Sequence, residues 1–191
     1  MSEIMIKNCP SCGAPVGITA NICGYCGSAY YVETISSLIT INKKGITKYI
    51  EAYKKAIAEN GLDLKAKKAL GICYMKLGMY DFANKQFEAM IQDDIDDADI
   101  YLYSAVCLLK GKRPFLTPLT VIREIETRLE AASIISPGSS SYYYAQALIK
   151  DDYYKRKFLK ASPSAEQLYE EANSYNLSDL DKKTVDSLFN L

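Results

Sequence analysis

The chain has 191 residues, of which 49% are hydrophobic and 24% charged, a composition typical of a folded protein. It carries 23 basic and 23 acidic residues, so no overall charge attracts it to nucleic acid or to an anionic membrane. Histidine is absent, which excludes histidine-based nucleophile activation and histidine metal ligands. Any metal site must therefore use thiolates or carboxylates.

The chain shows no sign of targeting to a membrane. Its first ten residues lack an apolar stretch of signal-peptide length. No later stretch approaches the roughly 20 apolar residues that span a bilayer. We therefore expect a cytoplasmic protein without membrane insertion.

Four of the six cysteines form two Cys-x-x-Cys knuckles, Cys9 with Cys12 and Cys23 with Cys26. A two-residue gap lets both thiolates of a knuckle reach one ion, and a glycine after each knuckle permits a tight turn. Four thiolates complete a tetrahedral zinc site and leave no position for water or substrate. The spacing predicts one structural Zn²⁺ ion. Disulfides remain the alternative, although paired knuckles without a secretion signal favour metal.

Residues 1–34 are similar to the short zinc ribbons, whose cysteines sit on β-hairpins. Alternating side chains after the second knuckle predict a strand with one packed face: Tyr30, Val32 and Thr34. Residues 35–43 are expected to form a linker or a further strand. Zinc ribbons often occur in transcription and translation proteins. Lys7 is the only cation of the segment, however, so nucleic-acid binding is not the expectation.

Residues 44–191 carry apolar side chains at the three- and four-residue spacings of amphipathic helices. A first helix is predicted over 44–59, and residues 64–97 contain two further stripes separated by a glycine that suits a helix end. The pattern recurs after 34 residues, since residues 71–76 align with 105–110, including a cysteine and a lysine. A hairpin cannot bury its own apolar stripe, so stacked hairpins are expected.

Residues 64–97 resemble a tetratricopeptide repeat (TPR). The motif residues stand at the family's spacing: Leu70, Gly71, Tyr74, Gly78, Tyr80, Ala83 and Phe87. Lys67 replaces the family's usual tryptophan, and Ile95 its usual proline. The resemblance implies a mainly α fold, in which a TPR-like solenoid of antiparallel helical hairpins over 44–191 follows a small β zinc ribbon. A capping box at Ser178 is expected to begin a C-terminal capping helix.

Three further features each allow two interpretations. The aspartates within 93–99 could bind calcium, but they lack the glycine and distal glutamate of a calcium loop, so a helix cap is favoured. Residues 112–116 lengthen one hairpin. They form either a surface particular to this protein or a longer loop without a functional role. The five tyrosines within 142–154 either form a protein interface or wrap around neighbouring helices.

No enzyme activity is expected, because the sequence has no phosphate-binding glycine loop, and Cys73 and Cys107 repeat in phase as core residues. The TPR resemblance implies a non-catalytic scaffold or adaptor that binds a peptide or helix of another protein on a concave helical surface. Helical phase predicts the residues that line it: Lys65, Lys68, Ile72, Met75, Lys76, Leu102, Val106 and Leu109. The alternative is a nucleic-acid or transcription-linked zinc-ribbon factor.

Overall fold

The computed structural model describes residues 6–16, 22–38, 41–93 and 96–190. Helices dominate these ranges, as the sequence predicts. None of them combines the length and apolar character that crossing a bilayer requires. The α-helices of the described ranges are α1 Lys43–Glu59, α2 Leu64–Lys76, α3 Tyr80–Gln92, α4 Ala98–Leu109, α5 Leu119–Ile135, α6 Ser140–Ile149, α7 Ala165–Ser174 and α8 Asp179–Phe189.

The chain divides into two compact units, Met1–Met90 and Ile91–Leu191. In the first unit, side-chain caps begin both early helices: Asn42 accepts the Gly45 N–H at 2.9 Å, and Asp63 accepts the Ala66 N–H at 2.9 Å. These caps satisfy amides that have no partner inside the helix. α1 buries one stripe, which packs on α2 and on the N-terminal segment: Ile46, Tyr49, Ile50, Tyr53 and Ala56.

The predicted helical hairpin is present as α2 and α3. Gly71 of α2 lies against the ring of Phe87 in α3, so closely that a Cβ atom at residue 71 would stand 2.6 Å from two ring carbons. Tyr74 and Phe82 pack beside this contact with ring centroids 5.7 Å apart. Between the helices Gly78 adopts a φ of +73°, the left-handed conformation that glycine tolerates best. The contact of Gly71 with Phe87 therefore sets the approach of the two helices.

The predicted β strands are not found among the described residues. Residues 6–16 and 22–34 contain only isolated bridges, Asn8 with Pro15 and Ile22 with Ala29. The segment predicted as a linker or a further strand, residues 35–43, begins with a 3-10 helix, Ile35–Leu38. Tyr30 and Val32 do have a buried face, as their alternation predicts, whereas Thr34 is exposed. The Val32 N–H and the Tyr30 carbonyl bond to the Tyr53 hydroxyl and not to a neighbouring strand.

The second unit is a set of packed helices in which α6 contacts three other α-helices. α4 packs against α5, α5 against α6, and α6 against α7, while α8 contacts α6 and α4. Asp97 begins α4 by accepting the Asp99 N–H at 3.1 Å, so the helix-cap interpretation holds for this aspartate. Asp94 lies outside the described residues, as does Ile95. Capping boxes begin α7 at Ser164 and α8 at the predicted Ser178.

A buried carboxylate fixes the insertion 112–116. Asp152 lies in a π-helical turn, Lys150–Tyr154, that follows α6, and its side chain is 4% exposed. It accepts hydrogen bonds from the Arg113 guanidinium at 2.6 Å, the Phe115 N–H at 2.9 Å and the Arg156 guanidinium at 2.9 Å. A buried charge needs such partners. The lengthened loop is thus an ordered part of the second unit.

The tyrosines of 142–154 contact neighbouring helices of the second unit. Tyr142 donates to Asp99 of α4 at 3.0 Å, and Tyr144 donates to Asp186 of α8 at 2.9 Å. Tyr154 donates to Glu126 of α5 at 2.9 Å. The ring of Tyr143 stacks on that of Tyr175, with centroids 5.3 Å apart. These contacts favour the interpretation that the tyrosines wrap around neighbouring helices.

Replacing Gly71 with alanine is expected to lower the free energy of unfolding by about 1–2 kcal/mol. The added methyl group would overlap the fully buried ring of Phe87. The overpacking cost therefore lies at the upper end of its usual range, about 2–3 kcal/mol, and exceeds the gain of about 1 kcal/mol in helix propensity. Urea denaturation measures the change. Gly61→Ala is the control, because a Cβ atom there meets nothing within 4 Å. Equal stability of the Gly71→Ala variant and the wild type would contradict the described contact.

Candidate metal centre

The sulfur atoms of Cys9, Cys12, Cys23 and Cys26 all lie within 4.8 Å of one another. Two pairs bring the knuckles together, Cys9 with Cys26 and Cys12 with Cys23, each with a sulfur–sulfur distance of 3.7 Å. A tetrahedral zinc ion with bonds of about 2.3 Å separates its sulfur ligands by about 3.8 Å, whereas a disulfide bond measures about 2.05 Å. The four free thiols therefore have the spacing of metal ligands.

Both knuckles have the same local fold. Gly13 donates its N–H to the Cys9 carbonyl at 2.8 Å, and Gly27 donates to the Cys23 carbonyl at 2.9 Å. The two glycines have φ values of +79° and +70°, which side chains other than glycine rarely adopt. Each glycine thereby closes a turn that points both sulfurs of its knuckle toward one point. This is the turn that the sequence spacing predicts.

One thiol of each knuckle faces a small core, and the other faces solvent. Cys9 and Cys23 are buried with Tyr30, and Ala14 and Val16 pack against them. Cys12 and Cys26 are exposed. The ligand set therefore lies at the edge of the apolar cluster, where an ion could enter from the solvent side.

The surroundings give the thiols different acidities. Burial raises the pKa of Cys9 to about 12. The hydroxyl and the backbone N–H of Ser28 lower the pKa of Cys26 to about 6, and the N–H groups of Cys26 and Tyr25 lower the pKa of Cys23. Hydrogen bonds to a thiolate favour the charged form that binds metal. In the metal-free protein Cys26 therefore ionises more readily than Cys9.

Two tyrosines of α1 attach the cysteine-bearing segment to the helix. We call the segment, residues 6–34, the cysteine module. The Tyr53 hydroxyl accepts the Val32 N–H and donates to the Tyr30 carbonyl, both at 3.0 Å. One turn earlier, Tyr49 donates to the Ala29 carbonyl at 3.3 Å. These bonds take the place of strand pairing in the described part of the segment.

Further contacts strengthen this attachment within the first unit. The ring of Tyr31 stacks on that of Tyr53, with centroids 6.0 Å apart, and its hydroxyl donates to Asp63, the cap of α2, at 3.1 Å. Lys7 forms an ion pair with Glu59 of α1 at 3.0 Å. Sequence reasoning missed these residues. The available signal was the pair of α1 tyrosines four residues apart beside a tyrosine-rich segment.

The residues predicted to line a partner surface divide into two groups. Lys65 and Lys76 of α2 are exposed and Lys68 is half-buried. The aliphatic members are buried: Ile72, Met75, Leu102, Val106 and Leu109. Helical phase alone cannot distinguish a face that packs on neighbouring helices from one that meets a partner, because both carry aliphatic side chains. The partner role remains a prediction, and the lysines are its accessible part.

Comparison with known proteins supports the architecture. No protein-family description matches the chain, and no curated protein matches it by sequence. Among solved structures, the crystal structure of MamA is similar, with a TM-score of 0.59 over 84% of this chain and 85% of that chain. The chain has a TPR-like helical fold. The two sequences are 17% identical, so the likeness concerns the fold.

Alkylation of the metal-free protein is expected to modify Cys26 first, because the thiolate is the reactive form. Cys9 and Cys73 should react slowly, since burial raises the pKa of each to about 12. Raising the pH through about 6 should increase the Cys26 rate to a plateau. Peptide mass mapping after iodoacetamide treatment measures the order, and added zinc should protect Cys26. Modification of Cys9 ahead of Cys26 would contradict the described environment.

The Tyr53→Phe substitution is expected to lower the free energy of unfolding of the zinc-loaded protein by about 1–3 kcal/mol. It leaves the buried Val32 N–H and the Tyr30 carbonyl without their partner, and an unsatisfied buried group costs about that much. Urea denaturation gives the value. Tyr25→Phe serves as the control within the same module, because Tyr25 is 80% exposed. A Tyr53→Phe protein as stable as the wild type would disprove the proposed anchoring.

Proposed function

We propose that this protein is a non-catalytic adaptor. Its TPR-like helices bind a peptide or helix of another protein, and its cysteine module holds one structural zinc ion that fixes the N-terminal segment on α1. The observation that carries the proposal is the joining of these two parts through Tyr49 and Tyr53. A solenoid of this kind offers an extended surface to partner segments.

The chemistry of the donor set supports zinc. Four thiolates are soft ligands, and tetrahedral sulfur sites select zinc or iron. A closed set of four thiolates has no open coordination position, so the ion would stabilise the fold and would not activate water. The 3.7 Å sulfur–sulfur distances agree with a single tetrahedral ion. Because metal binding then contributes folding free energy, its loss would free the module from α1.

A non-catalytic role agrees with the remaining nucleophiles. Cys73 is fully buried, and burial raises the pKa of its thiol to about 12. Cys107 is 1% exposed. The chain contains no histidine that could activate a hydroxyl or a thiol. Both cysteines therefore act as small core residues, as their phase in the repeat predicts.

Surface charge suggests the kind of partner. Lys65, Lys68 and Lys76 lie on one helix and would favour a peptide with acidic side chains beside apolar ones. The alternative of a nucleic-acid-binding zinc ribbon has less support, because Lys7, the only cation within residues 1–34, forms an ion pair with Glu59. Nucleic-acid binding needs several cations or aromatic platforms among cations. A cytoplasmic location is part of the same proposal.

A pull-down with the immobilised zinc-loaded full chain tests the adaptor role. We expect the wild type to retain a protein partner. The Lys65→Glu, Lys76→Glu variant should retain at least about fivefold less of it, because charges at the rim of an interface steer association. Lys85→Glu with Lys182→Glu is a charge-matched control. Retention of the partner by the Lys65→Glu, Lys76→Glu variant would remove these lysines from the partner surface.

A second arm addresses the metal and the alternative function. The Cys9→Ser, Cys12→Ser variant should lose the single zinc ion measured by elemental analysis, and Cys73→Ser should keep it. Mixed oligonucleotides should show no binding that falls steeply with salt, the behaviour typical of phosphate contacts. Salt-sensitive oligonucleotide binding, together with the absence of a protein partner, would favour the zinc-ribbon factor.

A further inference from the structure

Lysines are concentrated in the first two helices. Residues 43–76 contain nine lysines and three acidic residues, whereas residues 77–99 contain one lysine and seven acidic residues. The neutral total charge hides this separation. A local excess of one charge sign attracts oppositely charged ligands over short distances even when the net charge is zero. The lysine-rich pair α1 and α2 is therefore where an acidic ligand would be drawn.

An open groove of about 490 Å³ lies between the cysteine module and the start of α1. The module contributes two hydroxyl groups, and α1 with the residues before it contributes two ammonium groups and an amide. Among the described residues, no acidic side chain lines the groove. Its lining includes Ser11, Ser28, Ile41, Asn42, Lys44 and Lys48. The volume is within the range that holds a ligand of a few side chains.

Lys44 and Lys48 stand one helical turn apart, so their side chains lie on the same side of α1. Both are exposed, and within the described residues neither ammonium forms an ion pair. Two nearby lysines differ in this respect: Lys7 pairs with Glu59, and Lys54 lies over the ring of Tyr74. The groove thus contains cations that are available to a ligand.

The groove's preference for an anion does not come from the amino terminus of α1. Its Gly45 N–H already bonds to the Asn42 side chain. The Ser28 hydroxyl already bonds to the Cys26 sulfur. The two lysines and the Ser11 hydroxyl remain as the groups of the lining that can bind an anion. The pair of lysines suits two carboxylates spaced along a short peptide, because a long polyanion such as nucleic acid needs a longer row of cations. Ile41 and the aliphatic stems of the lysines suit an apolar side chain between the carboxylates.

We propose that this groove binds an acidic segment of the partner protein, with Lys44 and Lys48 pairing with its carboxylates and Ser11 donating a hydrogen bond. This inference rests on the proposed adaptor function and places part of its binding surface where the cysteine module meets α1. The zinc-bound module would then form one wall of the site. Specificity arises because only a folded module brings Ser11 to the lysines.

The test measures fluorescence anisotropy of a labelled eight-residue peptide of alternating glutamate and leucine, added to the zinc-loaded full chain. We expect saturable binding, which the Lys44→Glu, Lys48→Glu variant weakens at least about tenfold because two attractive contacts become repulsive. Lys43→Glu is a control on the same helix, outside the groove lining, and should change the affinity less than about twofold. A peptide with glutamine in place of glutamate should not bind.

Four results would overturn the inference. The first is the absence of peptide binding to the wild type, and the second is a loss of peptide affinity in Lys43→Glu equal to that in the Lys44→Glu, Lys48→Glu variant. The third is displacement of the peptide by inorganic phosphate at the same concentration. The fourth is loss of zinc from the Lys44→Glu, Lys48→Glu variant. The last result would assign these lysines to balancing the charge of the tetrathiolate centre. If this variant still retains the pull-down partner, binding of the partner in the groove is contradicted, while the adaptor function is not.

Discussion

The hydroxyl of Tyr53 joins the two kinds of structure in the first unit. It accepts the Val32 N–H and donates to the Tyr30 carbonyl, and it does so from the buried face of α1. A tyrosine hydroxyl can serve as donor and acceptor at once, so one side chain bonds to two buried backbone groups. The cysteine module can therefore lie on a helix even though its described residues form no sheet.

In this arrangement a bound metal ion would restrict the conformation of the segment that packs on α1. The segment that Tyr49 and Tyr53 hold follows directly after the second knuckle, so closure of the four thiolates around an ion would restrict the chain at both ends of residues 26–32. Cys9 and Cys23 face the same small core as Tyr30. Metal binding, core packing and attachment to α1 thus involve the same few residues, and they would be expected to form together.

The second unit uses polar contacts for a similar purpose. Asp152 holds the insertion through Arg113, Phe115 and Arg156. Tyrosine hydroxyls bond to carboxylates on α4, α5 and α8. Each contact satisfies a buried or half-buried group and fixes the position of one element against another. The tyrosines of 142–154, whose number suggests a binding surface, instead bond to neighbouring helices of the same unit.

The sequence by itself determined the helices, the TPR-like hairpin and the grouping of the four knuckle cysteines. Helix periodicity, caps such as Ser178, and the Gly71–Phe87 pair depend on neighbours close in the chain, and two-residue cysteine gaps constrain their own geometry. Only the tertiary structure decided whether Tyr30 and Val32 pair with a strand or with Tyr53, and whether Ile72 or Leu102 faces a neighbouring helix or solvent. Those choices depend on distant partners, and an aliphatic stripe has the same pattern in either surrounding.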